Sequence, residues 1–460
     1  MSIVTVADGI ANSMAESKRS LGPVGDEPAH NRSKRVRSEW EYNAQLDTID
    51  RKKLDFDCEK VCSVTSSALN VYCCLVCGKY FQGRREQSPA FLHSVNENHL
   101  VFINFSTLKV YVLPNDKEIK DEGEIQLLND IRFAIKPQYN KEELAEFPKL
   151  CYDLNNRPYM NGYVGFSNTR ANGCISSILV LMAHIKPLRD FFLLTDFNNE
   201  NTLESKLFVV VRKLWSPKLF KAHISADELF AYISVTETLK KEYTDPRIFL
   251  LTLLSFISKT YKPLLNLFQQ SCQGKISIKT ILDDTSSEEN KTASAFWMLA
   301  LDLPPKPIFS NGLNANDLPQ VKLGELLSKF NGVKEQNVSN GIKKYRLKKL
   351  PPFLFLHYNR FDSREKTPVK ERNQTLVEFP TSMELQKHKY RLLANIVHEA
   401  INISKVEGSL DKDEESKWKI QLLNSKDNKW YEIDGIHVQL KDRELLFLNE
   451  AYLQVWEKII

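Results

Sequence analysis

Five of the eight cysteines in this 460-residue chain fall between Cys58 and Cys77, and that crowding restricts the fold more than any other feature. The opening stretch MSIVTVADGI lacks the basic end and apolar core of a secretory signal, so a reducing compartment, cytosol or nucleus, is expected. There, clustered thiols favour a metal site over disulfides. Cys74 and Cys77 form CLVC and are followed by His93 and His99, a C-x2-C-x15-H-x5-H arrangement. Two cysteines three apart present both sulfurs to one ion from a tight turn, and two histidines complete the tetrahedral shell that zinc prefers. One structural zinc ion on Cys74, Cys77, His93 and His99 is the preferred reading. Cys62 stands as an alternative ligand, and buried free thiols are the competing account. Cys58 and Cys73 read as ordinary side chains, because Cys73 adjoins Cys74 and strand neighbours point to opposite faces. No acidic residue joins the set, so the metal is expected to hold a small domain together rather than to catalyse.

The length suits two or three domains. No apolar run approaches the roughly 20 residues that a bilayer requires. The best candidate, IFLLTLLSFI at 248–257, is short and interrupted by Thr252 and Ser255, and reads as a buried helix. The formal charge of +5 is small for this length and does not by itself imply nucleic-acid binding. Residues 1–40 are rich in Ser, Gly, Pro and charge without periodicity, which predicts a disordered tail. Within it NRSKRVR, 31–37, reads as a nuclear-import patch or a solvated basic segment.

Residues 41–149 should hold the metal module and a charged linker. LVFINFSTLKVYVL reads there as a strand pair about Ser106 and Thr107. In 150–460, TDPRIFLLTLLSFISKTY begins with Asp245 placed to cap and Pro246 at the first helical position. PPFLFLHYNRF, RLLANIVH, WKIQLL, KWYEI and AYLQVW read as strands of one mostly antiparallel sheet, with DKDEESK, 411–417, as a solvated loop between two of them. Helices first and strands last indicate an α+β domain. KKYRLKK at 343–349 has charge enough to touch phosphates, although a solvated strand or loop is the default reading.

The remaining question is GFSNTRANGCISSIL, 165–179, a loop leading into a helix with Cys174 at the junction. Ile175, Ile178, Leu179 and Met182 share one helical face and place Cys174 near the rim of the buried stripe. Small apolar cysteines are commonly core residues, so packing is favoured over nucleophilic chemistry.

Two resemblances sharpen this. CCLVCGKYFQGR followed by AFLHSVNENHLVFINF resembles the zinc finger of ubiquitin carboxyl-terminal hydrolases, over 58–113. Gln82 stands where that family often has a further cysteine and Pro89 at a histidine position, which implies one zinc rather than two. Segment 165–179 resembles the cysteine box of ubiquitin-specific proteases, and the rest of 150–460 resembles their landmarks in order. The resemblance implies a papain-like fold with a helical thumb and an antiparallel-sheet palm and fingers. It puts Gly173 at the nucleophile position and Cys174 one place late. Counting back from Trp430 and Tyr431 to Trp418 puts Lys417 at the position of the catalytic histidine. A lysine is normally protonated near neutral pH and cannot accept the thiol proton. Asp434 matches the orienting carboxylate and Asn168 an asparagine that assists the oxyanion; His398 and His437 read as structural. The fingers of this family usually carry two cysteine pairs, whereas SCQGKISIKTILDD offers only Cys272.

A reduced finger before a protease-like domain without cysteine and histidine, together with LDFDCEKVCS, RKLWSPKLFKAHIS and LSKFNG, resembles the inactive ubiquitin-specific-protease-like splicing factors of the spliceosomal tri-snRNP. That implies a nuclear scaffold for pre-mRNA splicing that assists tri-snRNP assembly or stability through protein contacts. The alternatives are a deubiquitinase using Cys174 with His398 or His437, and a reader of ubiquitin or a ubiquitin-like protein acting through the finger.

Overall fold

The computed structural model describes residues 44–167, 169–197, 202–240, 244–282, 290–305, 319–338, 341–361, 369, 372–404 and 412–459. Contacts between Cα atoms divide the chain into Met1–Thr48 and Ile49–Ile460. The first unit is described only over 44–48, so the expected tail 1–40 and its basic patch lie outside the described residues.

The first sheet of the second unit contains β1 (Val71–Cys74), β2 (Tyr80–Gln82), β3 (Val101–Asn104), β4 (Val110–Val112) and β5 (Lys117–Glu118), antiparallel in the order β2-β1-β3-β4-β5. Val101 lies opposite Val112 and Ile103 opposite Val110, the strand pair expected about Ser106 and Thr107. Asn104 makes that turn, its Oδ1 accepting from the N–H groups of Ser106 and Thr107 at 3.0 and 2.9 Å. Helix α1 (Pro89–Glu97) packs beside β2 and turns Ala90 and Ser94 inward. Pro89, at the family's histidine position, occupies a first-turn site that needs no N–H. Gln82 pairs with Val71 at the sheet edge and takes the Thr65 hydroxyl at 2.9 Å. The charged stretch that follows forms three short helices, Glu122–Leu127, Asn129–Ile135 and Lys141–Glu146.

The thumb consists of α2 (Thr169–His184), α3 (Lys186–Leu194), α4 (Leu203–Leu214), α5 (Asp227–Val235), α6 (Pro246–Thr260) and α7 (Lys262–Cys272). Asp245 caps α6 as the sequence required, accepting from the N–H groups of Arg247 and Ile248 at 2.8 and 3.2 Å, with Pro246 in the first turn. Helix α6 is amphipathic rather than buried all round: Phe249, Leu250, Leu253, Leu254 and Ile257 face inward while Ile248 reaches solvent.

The fingers sheet, in the order β7-β6-β10-β9, joins β6 (Gly274–Leu282), β7 (Asn290–Phe296), β9 (Asn331–Val338) and β10 (Gly341–Lys349). The palm is formed by β8 (Met298–Asp302), β11 (Phe353–Asn359), β12 (His388–Ser404), β13 (Lys412–Asn424), β14 (Lys429–Asp434), β15 (His437–Lys441) and β16 (Glu450–Ile459), in the order β8-β11-β16-β12-β13-β14-β15, with Ser382–Leu385 paired to β12. Among the described strands of the palm, β8 and β11 are the one parallel pair. The five predicted strands all lie in this sheet, as expected for an α+β fold.

Two expectations require correction. DKDEESK is not a loop: from Lys412 onward it is strand, with Lys412 to Lys417 opposite Ser404 to Glu399. The 17-residue β12 supplies backbone partners that outweigh the composition, and opposite charges meet across the pair, as between Lys419 and Glu399 at 2.7 Å. Cys174 is not at the rim of a stripe. From Cys174 to Ile185 every residue of this helix and its end is buried, because β13 packs against the helix in addition to the rest of the thumb.

The palm has two apolar faces. Toward the thumb, Ile420, Leu422, Ile433, Leu453 and Val455 join the core of α2. On the other face Leu356, Tyr358, Trp430 and Trp456 form a second core. A row of polar side chains crosses that second face: Gln454 lies opposite Asn395, Asn395 opposite Gln421, Gln421 opposite Glu432 and Glu432 opposite Gln439. Asn395 donates to Gln421 at 2.8 Å, Gln421 to Glu432 at 2.8 Å and Gln439 to Glu432 at 3.0 Å. Tyr358 Oη and Trp456 Nε1 both donate to Gln454 Oε1.

Segment 54–60 ties the first sheet to the thumb. Lys213 Nζ, on α4, donates to Asp57 Oδ1 at 2.6 Å and to the Phe56 carbonyl at 2.8 Å, while Asp57 Oδ2 accepts from Ser225 N at 2.9 Å. Asp55 pairs with Lys221 at 2.5 Å, and Glu228 on α5 receives both Lys60 and Lys206. Tyr80, from β2, donates to the Asp55 carbonyl, and Phe56 contacts Phe105 and Phe220.

Candidate functional site

At the end of β1 the chain turns back through CLVCGK. Gly78 N donates to the Cys74 carbonyl at 2.8 Å and Cys74 N to the Lys79 carbonyl at 2.9 Å. Gly78 has φ +77°, and a Cβ there would come within 2.2 Å of the Lys53 carbonyl oxygen, so glycine alone fits. The turn presents Cys74 and Cys77 toward His93 on α1 and His99 beyond the left-handed Asn98. The four ligand atoms lie within 4.8 Å of one another; Cys77 Sγ is 3.4 Å from His93 Nε2, which is 3.0 Å from His99 Nδ1. Tetrahedral zinc with bonds of about 2.0–2.3 Å needs donor atoms roughly 3.3–3.8 Å apart, so the donor set has the chemistry for such an ion and lies close to the spacing it needs. Phe81 stacks on the His93 ring at 4.3 Å and fixes its plane. A hydrogen bond from Cys74 and contacts with His99 and His93 pull the Cys77 thiol well below its ordinary range, while the same Cys74 contact and burial push Cys74 up.

Among the described residues this is the one group of three or more potential ligands. Cys62 stands outside it, its sulfur accepting instead from the N–H groups of Val64 and Thr65 at 3.4 Å each. Cys58 is exposed, and Cys73 is buried with its thiol on the Cys74 carbonyl.

The second constellation lies between α2 and the palm. A Cβ at Gly173 would lie 3.4 Å from the Trp418 carbonyl oxygen and 3.9 Å from its nitrogen, so this helix position faces the backbone immediately after Lys417. Lys417 Nζ is 2.8 Å from Asp434 Oδ2. Lys419 Nζ reaches the same carboxylate oxygen at 3.3 Å and Glu399 at 2.7 Å, and Lys417 approaches Glu399 at 4.0 Å. Two ammonium groups and two carboxylates thus form a closed charge-paired set. Asn168 lies outside the described residues.

Cys174 is 2% exposed, and burial, with the Asp245 carboxylate, pushes its thiol far up. Among the described residues its sulfur has no hydrogen-bond partner. The palm closes over it from the other side: Tyr452 donates to Asp245 Oδ2 at 2.6 Å, and Trp418 Nε1 to the Thr244 carbonyl at 3.0 Å. His398 is engaged at both nitrogens, by Glu450 at 3.1 Å and Ser416 at 2.9 Å. Burial opposes the charge of Glu450, but hydrogen bonds from His398 and Arg372 outweigh it and bring the carboxyl down to about 2. His437 is exposed on β15, opposite Asp434. Sequence reasoning missed Lys419, Glu399 and the Tyr452–Asp245 contact. Only the strand register makes Lys419 and Glu399 neighbours, and no local motif encodes it.

Two protein-family descriptions match this arrangement: "Zn-finger in ubiquitin-hydrolases and other protein" over residues 58–124, and "Ubiquitin carboxyl-terminal hydrolase" over residues 164–456. The chain belongs to the ubiquitin carboxyl-terminal hydrolase family. Within it, this hydrolase-family chain is 45% identical to Pre-mRNA-splicing factor SAD1 of Saccharomyces cerevisiae over 94% of its own length and 97% of the relative's. It is 36% identical to the Probable mRNA-splicing protein ubp10 of Schizosaccharomyces pombe, over 90% and 88% of the two chains. Among solved structures, one described as the crystal structure of an essential yeast splicing factor superposes with a TM-score of 0.81 at 46% identity, covering 91% of this family member and all of that chain.

Proposed function

We propose that this family member is a non-catalytic protein-interaction scaffold for pre-mRNA splicing, working in the nucleus on proteins of the spliceosomal tri-snRNP, whose assembly or stability it assists. Similarity to a splicing factor along nearly the whole of both chains carries this reading. The proposed organisation is a tail at 1–40, a finger and linker at 41–149, and a protease-like body at 150–460. One zinc ion on Cys74, Cys77, His93 and His99 serves as structural cofactor.

Loss of catalysis is the second half of the proposal. A thiol nucleophile needs a base within hydrogen-bonding reach. Gly173 has no nucleophilic atom, Lys417 is a donor already engaged by Asp434, and the thiol of Cys174 is sealed in the core. Depleting the protein from a splicing extract should abolish splicing of a reporter transcript, and adding back either the natural chain or a Cys174→Ala variant should restore it equally. Rescue that requires Cys174, or turnover of a ubiquitin-fused substrate by the purified chain, contradicts the scaffold reading. Retention of free ubiquitin that depends on its C-terminal tail would replace it with a reader function.

A further inference from the structure

The basic run at 343–349 is not spent on the core. It forms β10, and the pairing of the fingers sheet sorts its side chains. Ile276 faces Leu347 and Ile278 faces Tyr345 on the side that joins the second core. On the opposite side Lys279 faces Lys344 and Ser277 faces Arg346, and the neighbouring strand continues with Lys291 beside Lys279 and Ala293 beside Ser277. Lys275, which lies opposite both Lys349 and Ala295, extends the same side. Lys275, Lys291, Arg346 and Lys349 are exposed and, among the described residues, none is paired with a carboxylate. Among the described residues Glu335 is the acidic side chain of the face, and it engages Lys344 at 2.9 Å. Gly332, with φ +85°, lets the alkyl stem of Arg346 lie across β9. Residues 283–289, four of them acidic, lie outside the described residues, so the inference rests on the strands themselves.

Charge selects an anionic occupant, and the uncharged side chains narrow its class. A protein partner would need aromatic or large apolar anchors at the centre of the contact, whereas here the centre is Ser277, Ala293 and Ala295. A single strand of nucleic acid would need aromatic rings on which bases stack, and Tyr345 points to the other side. What remains suited is a regular array of phosphates contacted by lysine and arginine over small residues that allow close approach. We propose that this face of the fingers binds the phosphate backbone of double-stranded RNA without reading its sequence; the choice of RNA over DNA rests on the splicing role proposed above.

The test uses the full chain and a fluorescently labelled RNA duplex of arbitrary sequence, followed by anisotropy at low and at physiological salt. Binding should weaken steeply with salt, and a K275E/K291E/R346E variant should bind roughly tenfold or more weakly. A charge-matched control, K141E/K259E/K262E, should bind like the natural chain. Should the Glu variant melt earlier than the natural chain, the neutral K275Q/K291Q/R346Q form carries the comparison, with a smaller loss in the same direction. The inference is overturned by absence of duplex binding at low salt, by equal losses in face and control variants, or by a polyglutamate peptide competing as well as unlabelled duplex. The last result would assign the face to an acidic protein segment instead.

Discussion

Lys417 Nζ sits 2.8 Å from Asp434 Oδ2, so the carboxylate that the resemblance assigns to orienting an imidazole is neutralised by an ammonium instead. Gly173, on the facing helix, presents no side chain to this pair, and its nearest backbone neighbour is Trp418. There is ordinary van der Waals room for a Cβ at that position. The Gly173→Cys variant is therefore expected to fold, but to remain inert toward ubiquitin-fused substrate, because no base adjoins it. Adding Lys417→His supplies one, and the double variant should become labelled by a ubiquitin C-terminal electrophile, read by gel shift. Labelling of the natural chain, or of Gly173→Cys alone, would show that the lysine is not the obstacle.

Burial predicts the reactivity of the natural thiols. Cys58 is exposed whereas Cys174 and Cys272 are buried, and burial raises both of those thiols, Cys174 far above its usual value. Brief iodoacetamide treatment of the native chain, read by peptide mass spectrometry, should modify Cys58 and leave Cys174 and Cys272 unmodified. All three should react in denaturant. Rapid native alkylation of Cys174 would mean that the thumb and palm open around it.

The ties between segment 54–60 and the thumb predict a large effect from one small truncation. The Lys213 side chain is 6% exposed, and Asp57→Ala leaves its ammonium with the Phe56 carbonyl alone. Breaking a buried pair at one end costs about 3 kcal/mol, measurable as a lower urea midpoint. The Lys213→Met variant removes the charge together with its desolvation cost and should lose less.

Metal removal should act through the same contacts. The Cys77→Ser or His93→Ala variant is expected to contain no zinc by elemental analysis, against one ion in the natural chain. Because structural zinc is worth about 10 kcal/mol or more to small finger modules, the region 58–113 should lose hydrogen-exchange protection in either variant. The loss should extend to the amides of Phe56 and Asp57, which connect it to α4.

Acid stability follows from two carboxylates. Burial disfavours the charge of Glu228, but Lys60 and Lys206 overcome it and bring its carboxyl down to about 2, and Glu450 is lowered to a similar value. A folded-state value below the ordinary 4.5 means that protons bind the unfolded chain first, so this stability is complete above about pH 4.5 and disappears toward pH 2. Urea midpoints measured across that window should fall with pH, and the fall should be shallower in Glu228→Gln.

Much of the architecture was legible because the sheet strands are short apolar runs with clear ends and because Asp245 and Pro246 mark a helix start. The grouping of Cys74, Cys77, His93 and His99 was legible as spacing, while the place of Cys62 outside it was not, since that depends on how the loop before β1 folds back onto its own sulfur. DKDEESK misled because composition speaks of solvent, whereas strand formation there is decided by the length of a partner far away in sequence. Contacts such as Asp57 with Lys213 join residues separated by more than 150 positions, and no periodicity carries that information.

The hydrogen-bonded row from Asn395 to Gln439 has a consequence for how the palm can assemble. Asn395, Gln421, Glu432 and Gln439 find one another only if four strands, β12 to β15, are aligned to the residue, for a shift by one position turns every one of them toward the opposite face of the sheet. Misaligned sheets would confront Glu432 with hydrocarbon and forfeit its two amide donors together. The row therefore acts as a vernier, penalising every wrong alignment at once and fixing the offset between β13 and β14 from which Lys417 reaches Asp434.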